Sequence, residues 1–328
     1  MQMDQQQIII GLDTSNYTTS IAWVTLEGQV VGHQRQLLKV ALGERGLRQS
    51  EALFQHLQNL PGLFEQGHAS FGAGQIVAIA ASTRPRPQMD SYMPVFKASE
   101  GYGRVMATAL GVPFIATSHQ EGHLMAGLYS AGGPTEGEFL AVHLSGGTSE
   151  ILRVSRPANP RLPMDIQLLG GSVDLHAGQF IDRTGVAMGL PFPAGPHLEQ
   201  VASSCANSGV LIPSSVQGYN ISFSGPASHA QRLLAKKVEL SEVARGVEHC
   251  IATSLEKVIR KGVEEQQIKS VLIVGGVAAN RYLQHRLRQR LEHRAVGARL
   301  FFAEPALSSD NAVGVALTGA RIMEANSN

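Results

Sequence analysis

Apolar positions cluster in short runs near the start of the chain and return at helical spacing after them. "IIIGLD" opens on three β-branched residues, Ile8, Ile9 and Ile10, the kind of brief apolar run that forms a buried strand. From Ile8 to Leu38 the pattern reads strand, polar turn, strand, Glu-Gly turn, strand. In "GLRQSEALFQHLQNLPGLFEQ", Leu53, Leu57 and Leu60 recur at helical intervals and predict a helix. "QIVAIAAST" predicts another buried strand, "SEGYGRVMATALG" a helix closed by Gly111, and "VPFIATS" one more strand.

A second passage echoes the first. "FLAVHLSGGTSEILRVS" is again strand, Gly/Ser/Thr turn and strand, and "IKSVLIVGGVAANRYLQHRLRQRL" adds a buried strand, a Gly-Gly turn and a long helix. Repetition of this kind predicts an α/β fold of two duplicated lobes. Composition places the boundary at "GGPTEGE". The N-terminal lobe is then 1–133 and the C-terminal lobe 134–309, with a helix over 310–328 packing back on the first. The tail "EANSN" is expected to be disordered.

Composition narrows the classes. A length of 328 residues, 43% hydrophobic and 16% charged, is that of a globular chain large enough for two cores. The opening "MQMDQQQIIIGLD" lacks a basic start before a secretory-length apolar run, so the expected compartment is the cytoplasm, with no membrane partner. Lys and Arg total 27 against 26 Asp and Glu, so any nucleic-acid partner must be held by a local patch. Arg286, Arg290 and Arg294, at four-residue steps, offer such a stripe, or a solvated helix face. Cys205 and Cys250 form neither a disulfide framework nor a metal spacing.

Three features carry chemistry. "SHQEGH" follows the N-cap types Thr117 and Ser118 and puts His119 and His123 four residues apart, on one face of a helix. Imidazoles so placed suit one zinc or iron ion, although two histidines can also share a turn without a metal. No Glu adjoins the first histidine, which excludes the metalloprotease arrangement. "SSDNA" supplies a third candidate: Asp310 opens a helix, either as a plain cap or with its carboxylate aimed outward. Finally, "LSGGTSEIL" and "VGGVAANRYL" are glycine turns whose amides can approach phosphate oxygens, with "PFPAGP" as a further wall. Each also reads as a tight turn.

Together "GLDTS", "SHQEGH", "LSGGTSEI", "VDLHAGQFIDRTGVAMGLPFPAGP", "SFSG", "VGGVAAN" and "SSDNA" resemble, in order and nearly end to end, the TsaD family, once called Gcp or O-sialoglycoprotease. The resemblance implies the actin/Hsp70/sugar-kinase fold, whose duplicated lobes clamp a nucleotide. It implies His119, His123 and Asp310 as ligands of one divalent metal, Fe or Zn. It implies an adenine-nucleotide site, for threonylcarbamoyl-AMP or ATP/ADP, at His143, Leu144, Ser145, Gly146, Gly147, Asp182, Gly195 and Asn280. Asp182 would meet the ribose and Asn280 the adenine side. The implied reaction moves a threonylcarbamoyl group to N6 of the adenosine beside the tRNA anticodon, in a multi-protein complex. A homo- or hetero-dimer would form through the N-terminal lobe.

The chain departs from the family around these positions. The family's Glu-Thr-Ser-Cys-Asp-Asp turn is here Asp13-Thr14-Ser15-Asn16-Tyr17-Thr18. Asp13 and Ser15 are the candidate catalytic groups. The family's Gly-Pro-Gly loop is "STRPRPQMD", bringing Arg84 and Arg86; Gln179 replaces a Glu, Arg183 a Lys, and "SFSGPAS" lacks a following Lys. Two other readings therefore stand beside the first: a related carbamoyl-type transferase with a different acceptor, and a non-catalytic nucleotide-binding partner.

Overall fold

The structure is a computed structural model that describes residues 6–15, 17–40, 47–71, 75–88, 90–159, 162, 164–205 and 210–327. Asn16 and Met89 in the departing loops, and Asn328 in the tail, lie outside the described residues.

The chain opens with β1 (Gln7–Thr14), β2 (Thr18–Thr25) and β3 (Val30–Leu37), then α1 (Gln49–Phe71), β4 (Gln75–Arg84), α2 (Phe96–Leu110), β5 (Phe114–Ser118) and α3 (His119–Ala131). Next come β6 (Glu138–Leu144), β7 (Ser149–Ser155), β8 (Asp165–Gly171), α4 (Ala177–Ala187), α5 (Gly195–Ser203), β9 (Ser215–Gln217) and β10 (Asn220–Ser222). The remainder is α6 (Ser224–Ala235), α7 (Leu240–Gln266), β11 (Ser270–Val274), a 3-10 turn (Gly276–Ala279), α8 (Arg281–Leu291), β12 (Arg299–Phe302), α9 (Pro305–Ser308) and α10 (Val313–Ser327).

Both large sheets are built alike. The first has order β3-β2-β1-β4-β5 and the second β12-β11-β6-β7-β8. In each, an antiparallel three-strand meander is extended by two parallel strands on the far side of its first strand. The parallel additions need crossovers, which the intervening helices supply. The chain divides into two compact units: Met1–Tyr129 with Arg156–Met164 and Asp310–Asn328, and Ser130–Ser155 with Asp165–Ser309. The segment 156–164 thus groups with the first unit, whereas composition placed it in the second.

In the first unit, Ile8, Ile10 and Leu12 of β1 share a core with Trp23, Leu60, Leu63, Ala98 and Ala107, so α1 and α2 cover that face. The opposite face carries Ile9, Gly11 and Asp13, as the period of two requires. α10 lies against it: a Cβ at Gly11 would stand 2.6 Å from the Ala312 carbonyl and 2.7 Å from the Ala316 amide. In the second unit α7 is the spine, with Val247, Ile251, Leu255 and Ile259 fully enclosed. Cys205 and Cys250 are both free thiols.

Three expectations are corrected. The tail is helical through Ser327, because α10 is anchored along β1, β2 and β4 and continues past its last buried turn. α8 ends at Leu291 with Glu292 as its cap, so Arg294 is not on the helix and the three-arginine stripe does not exist. Asp310 does not open a helix: α10 starts at Val313, whose amide is taken by the side chain of Asn311. Among the described residues no helix is long and apolar enough to cross a membrane.

Candidate metal centre and nucleotide site

β5 runs directly into α3, and Ser118 and Glu121 close the junction as a capping box. The Glu121 carboxylate accepts from the Ser118 amide at 3.0 Å and hydroxyl at 2.6 Å, while the Glu121 amide donates to Ser118 Oγ at 3.2 Å. Glu121 is therefore a capping group, and His119 and His123 are fixed on the first turns of a well-anchored helix. Asp310 reaches them from the loop before α10. That approach depends on two glycines: a Cβ on Gly314 would stand 1.8 Å from the Gly122 carbonyl, so α10 and α3 meet backbone to backbone.

The three side chains converge. His119 Nε2 lies 3.1 Å from His123 Nε2, His123 Nε2 lies 3.1 Å from Asp310 Oδ1, and His119 Nε2 lies 3.6 Å from the same oxygen. Two ligand atoms each about 2.1 Å from a tetrahedral ion stand about 3.4 Å apart. The donor set, two imidazole nitrogens and one carboxylate oxygen, thus fits a single borderline metal and leaves at least one position open.

Asp13 and Ser15 touch these ligands. His119 Nδ1 is 2.9 Å from Asp13 Oδ1, and Ser15 Oγ donates to Asp310 Oδ2 at 2.7 Å. Burial disfavours the His119 imidazolium, but the charges and hydrogen bonds of Asp13 and Asp310 outweigh it and raise its pKa to about 10. Burial likewise pushes the Asp310 carboxyl up, yet its bonds to His119 and His123 hold it well below the usual carboxylate range.

The sequence-predicted nucleotide residues all lie in the second unit. Leu144 ends β6, and Ser145 to Thr148 form the β6–β7 turn, closed by the Ser145 amide donating to the Thr148 carbonyl at 2.8 Å. Gly146 and Gly147 are exposed, and a Cβ on either would meet open space, as it would on Gly195 and Gly276. These are cradle positions that a phosphate can approach. Leu144 itself is core, and Gly275 packs on its backbone: φ is 98° there, and a Cβ would stand 2.1 Å from the Leu144 carbonyl. His143 is buried on β6, paired in register with Glu150.

Asp182 Oδ1 accepts from the Ala194 amide at 2.7 Å, so it ties α4 to the turn that leads into Gly195; burial raises its pKa. Asn280 is buried at the start of α8. Its Oδ1 caps α8 by accepting from the Leu283 amide, and its Nδ2 donates to Glu248 Oε1 at 2.6 Å. Both amide atoms thus have partners inside the unit, and Asn280 serves as the cap of α8. Glu248, which sequence reasoning missed, also pairs with Arg245 at 2.6 Å; burial lifts its pKa to about 7 against the pull of Asn280 and Arg245. Nothing in its spacing sets it apart from the other acids of α7.

A duplicated unit with this sheet order and glycine turns at the strand ends is the architecture of the actin/Hsp70/sugar-kinase superfamily. Component A of (R)-2-hydroxyglutaryl-CoA dehydratase from Acidaminococcus fermentans has the same fold, with TM-score 0.56, 14% identity, and 97% of this chain and 99% of that chain covered. So does a ROK family glucokinase from Streptomyces griseus, solved with glucose and AMPPNP, at TM-score 0.52, 11% identity, and 94% and 98% coverage. The model of the TsaD family, tRNA N6-adenosine threonylcarbamoyltransferase, matches residues 46–317. A tRNA N6-adenosine threonylcarbamoyltransferase from Thermus thermophilus is 31% identical over 320 residues, covering 95% of this chain and 92% of the relative. The chain belongs to the TsaD family.

Proposed function

We propose that this chain transfers a threonylcarbamoyl group from threonylcarbamoyl-AMP to N6 of the adenosine adjacent to the anticodon in tRNA. The observation that carries the reading is the convergence of His119, His123 and Asp310 within a chain of this family. These three residues would hold one Fe or Zn ion, which as a Lewis acid would make the threonylcarbamoyl carbonyl carbon more electrophilic. The backbone amides at Gly146 and Gly147 would receive the phosphate of the AMP leaving group, and the Gly195 and Gly276 positions leave room for it. Asp182 would reach the ribose. The work would be done in the cytoplasm, with tRNA bound through a multi-protein complex and a homo- or hetero-dimer formed by the first unit.

One observation favours a second reading, a related carbamoyl-type transferase with another acceptor. The substituted loop lies against the candidate centre: Arg84 pairs in register with Ser118, and the Gln120 amide donates to the Pro85 carbonyl at 3.0 Å. Arginines beside the first turn of α3 change the potential where an acceptor would approach. Complementation separates the two. In a strain depleted of its own threonylcarbamoyltransferase, this chain should restore the modified nucleoside, read by mass spectrometry of tRNA hydrolysates, and its His119→Ala variant should not. No modification at normal expression, with the protein folded and metal-loaded, would remove the first reading. Retained modification by the His119→Ala variant would remove the metal-dependent mechanism.

A further inference from the structure

The non-coordinating atoms of two candidate ligands are held by the end of β1 and the turn that follows it. Asp13, enclosed at the end of β1, fixes the Nδ1 side of the His119 ring; since a carboxylate only accepts, the proton stays on Nδ1 and Nε2 is left for coordination. Ser15 fixes Oδ2 of Asp310 and leaves Oδ1 turned toward His123. Behind Ser15 stands His56 of α1, fully enclosed, with Nε2 2.7 Å from the Ser15 carbonyl and Nδ1 2.8 Å from Thr19 Oγ1. A carbonyl cannot donate, so Nε2 carries the His56 proton, Nδ1 accepts from the Thr19 hydroxyl, and Thr19 in turn accepts from Asn59 Nδ2 at 3.2 Å. Every bond in this chain has one permitted direction.

We infer that Asp13, Ser15 and His56 are positioning residues for a metal centre: Asp13 orients His119, Ser15 orients Asp310, and His56 locks the turn that carries Ser15. This rests on the metal reading above and gives Asp13 and Ser15 a role that needs no contact with substrate. It also makes α1, through Asn59, Thr19 and His56, part of the support of a centre whose ligands lie on α3 and before α10.

The test uses the purified full chain stripped of metal and titrated with Co2+, with affinity read by competition against a chromophoric chelator and geometry by the visible absorption bands. The wild type should take up one ion and His119→Ala should not. Asp13→Asn and Ser15→Ala should each bind roughly 10–100-fold more weakly, with shifted bands. His56→Ala should weaken binding, and His56→Gln, which keeps a donor for the Ser15 carbonyl, should recover part of the loss. Melting of the metal-free proteins separates this from unfolding, since Ser15→Ala removes little buried volume. Wild-type affinity and spectrum in both Asp13→Asn and Ser15→Ala would overturn the positioning role alone. Failure of the wild type to take up Co2+ would instead overturn the metal reading, and this inference with it.

Discussion

His119 stands between two carboxylates, and that placement sets how a metal would compete for it. Burial alone would make the ring shed its proton, but Asp13 and Asp310 reverse the sign and hold its pKa at about 10. A metal needs the neutral ring, so uptake below pH 10 must release this proton. Asp310 contributes no second proton at neutral pH, because its carboxyl is held well below its ordinary range. Affinity for Co2+ or Zn2+ should therefore rise with pH between pH 6.5 and 8.5, by about tenfold per unit from the His119 proton. Calorimetry in buffers of different ionisation enthalpy would count the proton directly. A flat dependence over that window would mean that His119 gives up no proton on metal uptake, and so is not a ligand.

At the scale of elements, the site exists because α10 and α3 touch without side chains between them. A Gly314→Ala methyl would lie 1.8 Å from the Gly122 carbonyl and 2.7 Å from the Ala126 amide, both backbone, so the helices must part. Expected is a loss of roughly 1–3 kcal/mol in stability, as for other overpacked contacts. Because Asp310 precedes α10, weaker Co2+ binding should accompany it. Gly101→Ala, in α2 with nothing near its Cβ, should leave binding unchanged and, if anything, stabilise the helix. Equal binding by the Gly314→Ala protein would detach the helix contact from the site. The same contact shows what pattern reading can reach. Period-two and helical spacing make β1, α1 and α3 legible, and the spacing of His119 and His123 puts them on one face. That Asp310 would arrive beside them is not in any local pattern; it follows from Gly11, Gly122 and Gly314, which inside strands and helices look merely like weak formers. Asn280 shows the same limit from another side. A capping amide and a ligand-facing amide have the same sequence signature, and the bond from Asn280 to the buried Glu248, 32 residues away in the chain, is in no local pattern.

For the molecule as a whole, the charge balance limits what it can hold alone. The net charge is +1, and much of the basic potential of α8 is neutralised inside the second unit. Arg286 and Arg290 both turn onto Glu256 of α7, which Arg260 also reaches, while Arg288 pairs with Glu292. Arginines committed to a protein carboxylate release few counterions from RNA, and a near-neutral molecule projects little long-range field. The isolated chain should therefore bind tRNA weakly at physiological salt, and log K should fall with log salt at a slope no steeper than roughly −3, the signature of a few phosphate contacts. Fluorescence anisotropy from 50 to 300 mM salt, at a scale set by the phosphate-contact relation, measures that slope. Glu256→Gln should steepen it by freeing three arginines, whereas a wild-type slope of about −6 or beyond would mean that the chain carries its own phosphate footprint. A shallow slope combined with efficient modification in the cell would place most of the tRNA grip on partner proteins, because positioning an adenosine for transfer requires an affinity that this distribution of charge does not supply.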